Sequence, residues 1–259
     1  MIEHGNYKIK PKDFKGGGAF GSVEVVELYN IRGHLCGLYA MKTLKATAAE
    51  VENFRRRFIR EGYLQASCIH TNIVPIYLYN LHAANPWFVM ELGENDVQTL
   101  LLSGTFTRDE KLKCLRHLLE GLLFIHAKGF LHRDIKPSNM VRSGGVYKIA
   151  DFGLVKNTSP SVDSTQLTAI GQGMGTPGFL APEAIFGVYN EQTDIYAVGT
   201  FIEYLIHNDS ILEKVLSRLF KKCKEHLPAN RYQNIKQVLE DYIPIMDGLL
   251  SDNTLKVEA

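Results

Sequence analysis

Up to residue 92 the apolar positions fall in short runs separated by glycine-bearing turns. Residues 8–18, 22–30 and 36–44 are such runs, rich in Val, Tyr and Leu, and they predict three β-strands. Arg32-Gly33 suits a hairpin between the second and third. The pattern then changes: residues 48–67 read as a helix, with Phe54, Phe58 and Tyr63 or Leu64 on its inner face. Two more strands are expected at 73–79 and 87–92.

Beyond Gly93 helices dominate. Residues 107–128 place Leu112, Leu115, Leu118, Leu119, Leu122 and Ile125 on one stripe. Asp109 and Glu110 sit in the first turn, where the positive end of a helix favours acids. Residues 193–207 are so apolar that a buried central helix is predicted, and 210–223 and 233–249 are amphipathic. The change of character falls at residues 91–95. One domain over 1–259 is therefore expected, strand-rich over 1–92 and helix-rich over 93–259. The fold class is α+β: a small antiparallel sheet with one helix, then a larger, mainly helical part.

Composition narrows the functional classes. A length of 259 residues suits one compact two-part enzyme, and 45% hydrophobic with 22% charged residues is ordinary for a globular protein. A net charge of +1 gives no reason to expect nucleic acid or an anionic membrane as the main partner. Cys36, Cys68, Cys114 and Cys223 are scattered without metal-ligand spacing, which predicts free thiols in a reducing compartment. The first residues hold no apolar segment of signal-peptide type. No apolar run approaches the ~20 residues of a membrane span, and the stretch near 195–206 is broken by Glu203. A cytoplasmic protein without a membrane anchor is the expectation.

The densest chemistry lies at His132-Arg133-Asp134-Ile135-Lys136-Pro137-Ser138-Asn139, followed by Asp151-Phe152-Gly153. Asp134 can take a proton from an attacking hydroxyl, and Lys136 can sit against a transferring phosphoryl group. Asn139 and Asp151 offer hard oxygen ligands suited to Mg²⁺. Upstream, Gly16-Gly17-Gly18-Ala19-Phe20-Gly21-Ser22-Val23 fits G-x-G-x-x-G-x-V. Its glycines let the backbone approach phosphates, and it precedes a strand, which disfavours a dinucleotide site.

These motifs resemble the eukaryotic-type Ser/Thr protein kinases, in a compact form similar to bacterial or phage members. The resemblance runs from about residue 8 to 245. It implies a bilobal kinase-like fold with a shortened C-terminal part and transfer of a phosphoryl group from MgATP, with Mn²⁺ an alternative cation. Lys42, in Tyr39-Ala40-Met41-Lys42, then grips nucleotide phosphates, and Glu61, nine residues before His70, fixes that lysine. Glu50 and Glu52 are rivals for Glu61. Met90, Glu91, Leu92 and Gly93 occupy the place that holds the adenine edge by backbone groups, with Val23, Ala40 and Val141 as apolar faces.

By the same resemblance Thr176, seven residues before Glu183, bonds the catalytic Asp and Lys and points to serine or threonine hydroxyls. Glu183 pairs with Arg231, and Asp194 holds the catalytic-loop backbone. Arg133 implies control by phosphorylation of the following loop, at Thr168 first and Thr165 second, with Ser159, Ser161 and Ser164 as further candidates. Arg55-Arg56-Arg57 is a lesser candidate to receive that phosphate, and Lys221-Lys222-Cys223-Lys224 reads as a solvated helix face. The implied partners are protein substrates and the chain itself, by autophosphorylation in a transient homodimer.

Two departures from the family stand out. Four residues after Glu61, where an apolar side chain is usual, this chain has Gln65. Only 37 residues separate Asp194 from Arg231, which leaves little room for the helix that often docks substrates. Two alternatives stay open: a catalytically silent kinase-like scaffold, and a small-molecule kinase of related fold.

Overall fold

The computed structural model describes residues 1–17, 21–45, 47, 51–157 and 175–257, with the side chains of 252–257 left aside. Gly18, Ala19, Phe20, Glu50 and all the phosphorylation candidates lie outside the described residues. The chain divides into two compact units, 1–94 with 151–153, and 95–150 with 154–259.

The first unit is a six-stranded antiparallel sheet in the order β1-β2-β3-β4-β6-β5. Its strands are β1 (Ile2–His4), β2 (Tyr7–Gly17), β3 (Gly21–Asn30), β4 (Leu35–Leu44), β5 (Ile76–Asn80) and β6 (Trp87–Glu91). The turn between β3 and β4 forms where expected. Gly33 adopts φ +80°, and the Asn30 carboxamide oxygen accepts from the N–H groups of Arg32 and His34, both at 3.0 Å. Alternation along β6 splits the core in two. Trp87 and Val89 pack with Ile9, Val26, Leu28 and Met41, whereas Phe88, on the opposite face, packs with Leu44, Phe58 and Leu81. Phe58 comes from α1 (Glu52–Ser67), the one helix described in this unit.

Two expectations for this unit are corrected. β5 starts at Ile76 because Pro75 has no N–H to give a ladder; instead its carbonyl accepts from Glu91 N at 3.1 Å. The inner face of α1 does not include Tyr63, which is 45% exposed. Glu61, Gly62 and Gln65 are buried beside Phe58. At Gly62 an added Cβ would lie 3.0 Å from Leu81, so the glycine lets helix and sheet approach closely.

The second unit is mainly helical: α2 (Val97–Ser103), α3 (Arg108–Ala127), α4 (Glu191–Ile206), α5 (Ser210–Cys223) and α6 (Ile235–Val257). The α3 stripe from Leu112 to Ile125 is buried as its spacing predicts, and a Thr107/Glu110 capping box starts the helix. α4 buries both apolar and polar side chains, as a central helix must. Asp209 caps α5 and also accepts a two-nitrogen contact from Arg108, tying α5 to α3. Short strands β7 (Asn95–Asp96), β9 (Met140–Ser143) and β10 (Val146–Ile149) form one sheet, and β8 (Phe130–Leu131) pairs with β11 (Lys156–Asn157). The fold class is α+β, as the sequence predicts. No helix among the described residues is long and apolar enough to cross a membrane.

Candidate active site

Strand alternation decides where Lys42 points. Met41 faces the Trp87 side of the sheet, so Lys42, opposite Phe88 in register, faces α1. There its ammonium bonds Glu61 Oε1 and also reaches Asp151 Oδ1 at 3.2 Å. Burial opposes charge on Lys42, but the two carboxylates outweigh it and hold its pKa above the ordinary lysine value. Burial pushes the Glu61 carboxyl up, with Lys42 opposing and Asp151 adding to the rise. Asp151 adopts φ +60°. A Cβ on Gly153 would come within 3.1 Å of Asp151 Oδ1 and 3.4 Å of Glu61 Oε2, so a larger residue would press on both carboxylates.

The described part of the Gly-rich hairpin pairs Gly16 with Val23 and Gly17 with Ser22. Val23 lies opposite Lys42, and Val25 opposite Ala40, which is buried. At Gly21 an added Cβ would sit 3.1 Å from the Thr43 carbonyl oxygen. Met90, Glu91 and Leu92 are half-buried, and Gly93 is buried. The N–H of Glu91 is committed to Pro75, which leaves other backbone groups of 91–93 for any adenine edge.

The second unit gathers Asp134, Lys136, Asn139 and Thr176. Thr176 Oγ1 donates to Asp134 Oδ1 at 2.8 Å and accepts from Lys136 Nζ at 2.8 Å. Asn139 Nδ2 donates at 2.9 Å to both Oδ2 and the main-chain oxygen of Asp134, and Lys136 Nζ lies 2.8 Å from Oδ2. A carboxylate has about four acceptor positions, and three are used here. Val141, on β9, is half-buried.

The backbone under this cluster is held by Asp194. Arg133 adopts φ +69°, a conformation costing on the order of 1–3 kcal/mol for a non-glycine residue. Asp194 accepts from His132 N and Arg133 N, both at 2.8 Å, and so stabilises the turn. His126 Nε2 lies 2.9 Å from Asp194 Oδ2. Burial opposes protonation of His126, but Asp194 and then Glu191 outweigh it and raise its pKa to about 9. Spacing gave no sign of His126, one of two histidines on the amphipathic α3. Tyr189 was equally silent: the Arg133 guanidinium lies 3.8 Å above its ring.

Glu183 and Arg231 form a two-pronged ion pair at 2.6 and 2.9 Å. The basic clusters are largely occupied elsewhere. Arg55 donates to the carbonyls of Ala83 and Ala84, Arg56 pairs with Glu52, and Lys224 pairs with Glu203.

Residues 11–256 match the family model of the protein kinase domain. The chain belongs to the protein kinase domain family. Among curated relatives it is 30% identical to serine/threonine-protein kinase PknL of Mycobacterium bovis, over 84% of this chain and 54% of that protein. It is 35% identical to the probable serine/threonine-protein kinase pknA2 of Bifidobacterium longum, over 88% of this chain and 30% of the relative. With the probable serine/threonine-protein kinase PknB of Lactococcus lactis the identity is 28%, over 80% of this chain and 34% of the relative. The chain thus spans about half the length of PknL and about a third of the other two.

Proposed function

We propose that residues 1–259 form a single Ser/Thr protein kinase domain, which transfers the γ-phosphoryl group of ATP to serine and threonine hydroxyls of proteins. The observation that carries this reading is the hydrogen-bonded set Thr176, Asp134, Lys136 and Asn139. With three of its acceptor positions used, Asp134 has one left for an incoming hydroxyl, which it orients and whose proton it accepts. Lys136, held by Thr176 and Asp134, stabilises charge on the transferring group. Thr176 fixes both, which supports a protein hydroxyl as acceptor.

In the first unit, Lys42 is locked in its charged form by Glu61 and grips nucleotide phosphates. Gly16, Gly17 and Gly21 let backbone N–H groups approach the same anion. Asp151, in the first unit, and Asn139, in the second, each offer the kind of oxygen that a divalent cation, Mg²⁺ or Mn²⁺, would take. The Asn139 amide N–H₂ is committed to Asp134, which leaves its oxygen as the remaining side-chain function. When bound, the cation would neutralise charge on the phosphates.

Regulation by autophosphorylation completes the reading. Arg133 has two buried donor atoms, Nε and Nη2, without a hydrogen-bond partner among the described residues. A phosphate on Thr168, or on Thr165, supplies an acceptor of the right charge. The test is transfer of labelled phosphate from ATP by wild type, Asp134→Asn and Asp151→Asn, with mass spectrometry of the products. Wild type should label Ser/Thr and both variants should lose at least ~100-fold in rate. Equal labelling by all three would sink the mechanism, and an inert wild type would favour a scaffold.

A further inference from the structure

β2 and β3 lose register at one informative place. Phe14 pairs with Glu24 and Gly16 with Val23, so Lys15 is the extra residue of a bulge. A bulge re-aims a side chain that the regular pleat would direct elsewhere. Here the Lys15 ammonium donates to the main-chain oxygen of Gly93 at 2.5 Å, 78 residues further along and within the same unit. Lys15 directly precedes the glycines proposed to face phosphates. Gly93 ends the stretch 90–93 proposed to hold the adenine edge. One charged bond therefore joins the phosphate-facing and base-facing parts of the proposed nucleotide site.

The hairpin has need of such a tie. Gly16, Gly17 and Gly21 contribute no side chains that could anchor it. An exposed strand lysine ordinarily extends into water, but this one reaches a buried residue's carbonyl. A bond from an ammonium to a carbonyl is stronger than one between neutral groups.

We propose that Lys15 is a positioning residue for ATP, a strap that fixes the Gly-rich hairpin against residues 90–93 before nucleotide arrives. The idea rests on the ATP reading above. Preorganisation of this kind lowers the ordering cost of binding without touching the reacting atoms. It should therefore act on nucleotide affinity and leave the chemical step alone.

The test compares wild type, Lys15→Met and Lys15→Arg by calorimetric ATP binding, steady-state kinetics and thermal unfolding. Lys15→Met, similar in length but unable to donate, should raise the ATP Kd and KM roughly 3- to 10-fold, the range for a partly exposed charged hydrogen bond. Its kcat, its KM for the protein acceptor and its melting midpoint should stay unchanged. Lys15→Arg keeps a donor and should restore most of the ATP affinity. An unchanged ATP Kd in Lys15→Met overturns the strap and leaves the kinase reading standing. A lowered melting midpoint with both KM values moving together marks a general structural role and overturns it too. Wild type that binds no ATP overturns the strap and the ATP reading together.

Discussion

Two arginines of the second unit, Arg231 buried and Arg133 half-buried with its Nε and Nη2 shielded, are treated in opposite ways. Arg231 uses all five of its N–H groups: two on Glu183, one on Gln192 O, one on Glu225 O and one on His226 O. Arg133 lies over Tyr189, with Nε and Nη2 buried and lacking hydrogen bonds among the described residues. A saturated guanidinium is part of a scaffold, because any movement breaks several bonds at once. An unsaturated one costs stability and can recover it only when an anion arrives. Burial of a charge therefore does not by itself reveal its role; the count of satisfied donors does.

The largest effect should come from breaking the saturated site. Glu183→Ala leaves a fully buried guanidinium without its counter-ion and should cost about 3–5 kcal/mol in denaturant unfolding. A loss below about 1 kcal/mol would mean that Arg231 finds water or another partner, and the contrast with Arg133 would weaken.

Next comes the link beneath Arg133. His126 carries a pKa raised from 6.5 to about 9 by Asp194 and Glu191, against the opposing effect of burial. A group with a raised folded-state pKa contributes its full stability below the unfolded value and loses it as pH rises through the folded one. Stability should therefore fall between pH 6.5 and about 9, by an amount on the order of 3 kcal/mol. His126→Gln cannot titrate and should flatten that part of the profile, measured by urea unfolding at stepped pH. An unaltered slope in the variant would place the titrating group elsewhere.

This link also marks the limit of what the sequence discloses. The α3 stripe and the apolar α4 were legible because a core-facing helix repeats its signal over several turns. β7, β8 and β11 have two residues each, too few for any period to register. Apolar spacing offers Tyr63 or Leu64 for the inner face of α1; Leu64 is half-buried and Tyr63 exposed, and the polar Glu61 and Gln65 are the residues buried there. Gln65 donates to Val74 O at 2.9 Å, but its Oε1 has no partner among the described residues, a polar departure that no periodicity could announce. Asp134, Lys136, Asn139 and Thr176 could be named from their motifs. The bonds joining them span up to 42 residues and exist only in the folded chain. His126 and Tyr189 belong to no motif, so nothing local distinguished them.

The smallest loss of stability should come from Arg133 itself. Arg133→Met keeps an unbranched side chain over Tyr189 and gives up a cation–π contact of about 0.5–1 kcal/mol. It also removes two buried donors whose unmet desolvation costs about 1–3 kcal/mol each. The balance should be neutral or stabilising, within about 0.5 kcal/mol at the unfavourable end. Activity should respond differently. Wild type, once autophosphorylated, should lose activity on phosphatase treatment, while Arg133→Met should show the same activity before and after. A destabilisation of about 3 kcal/mol would make Arg133 a second scaffold arginine, and a phosphatase response retained in the variant would place the phosphate receptor elsewhere. A stable variant with no such response would separate the two arginines by function as clearly as their hydrogen bonds separate them by structure.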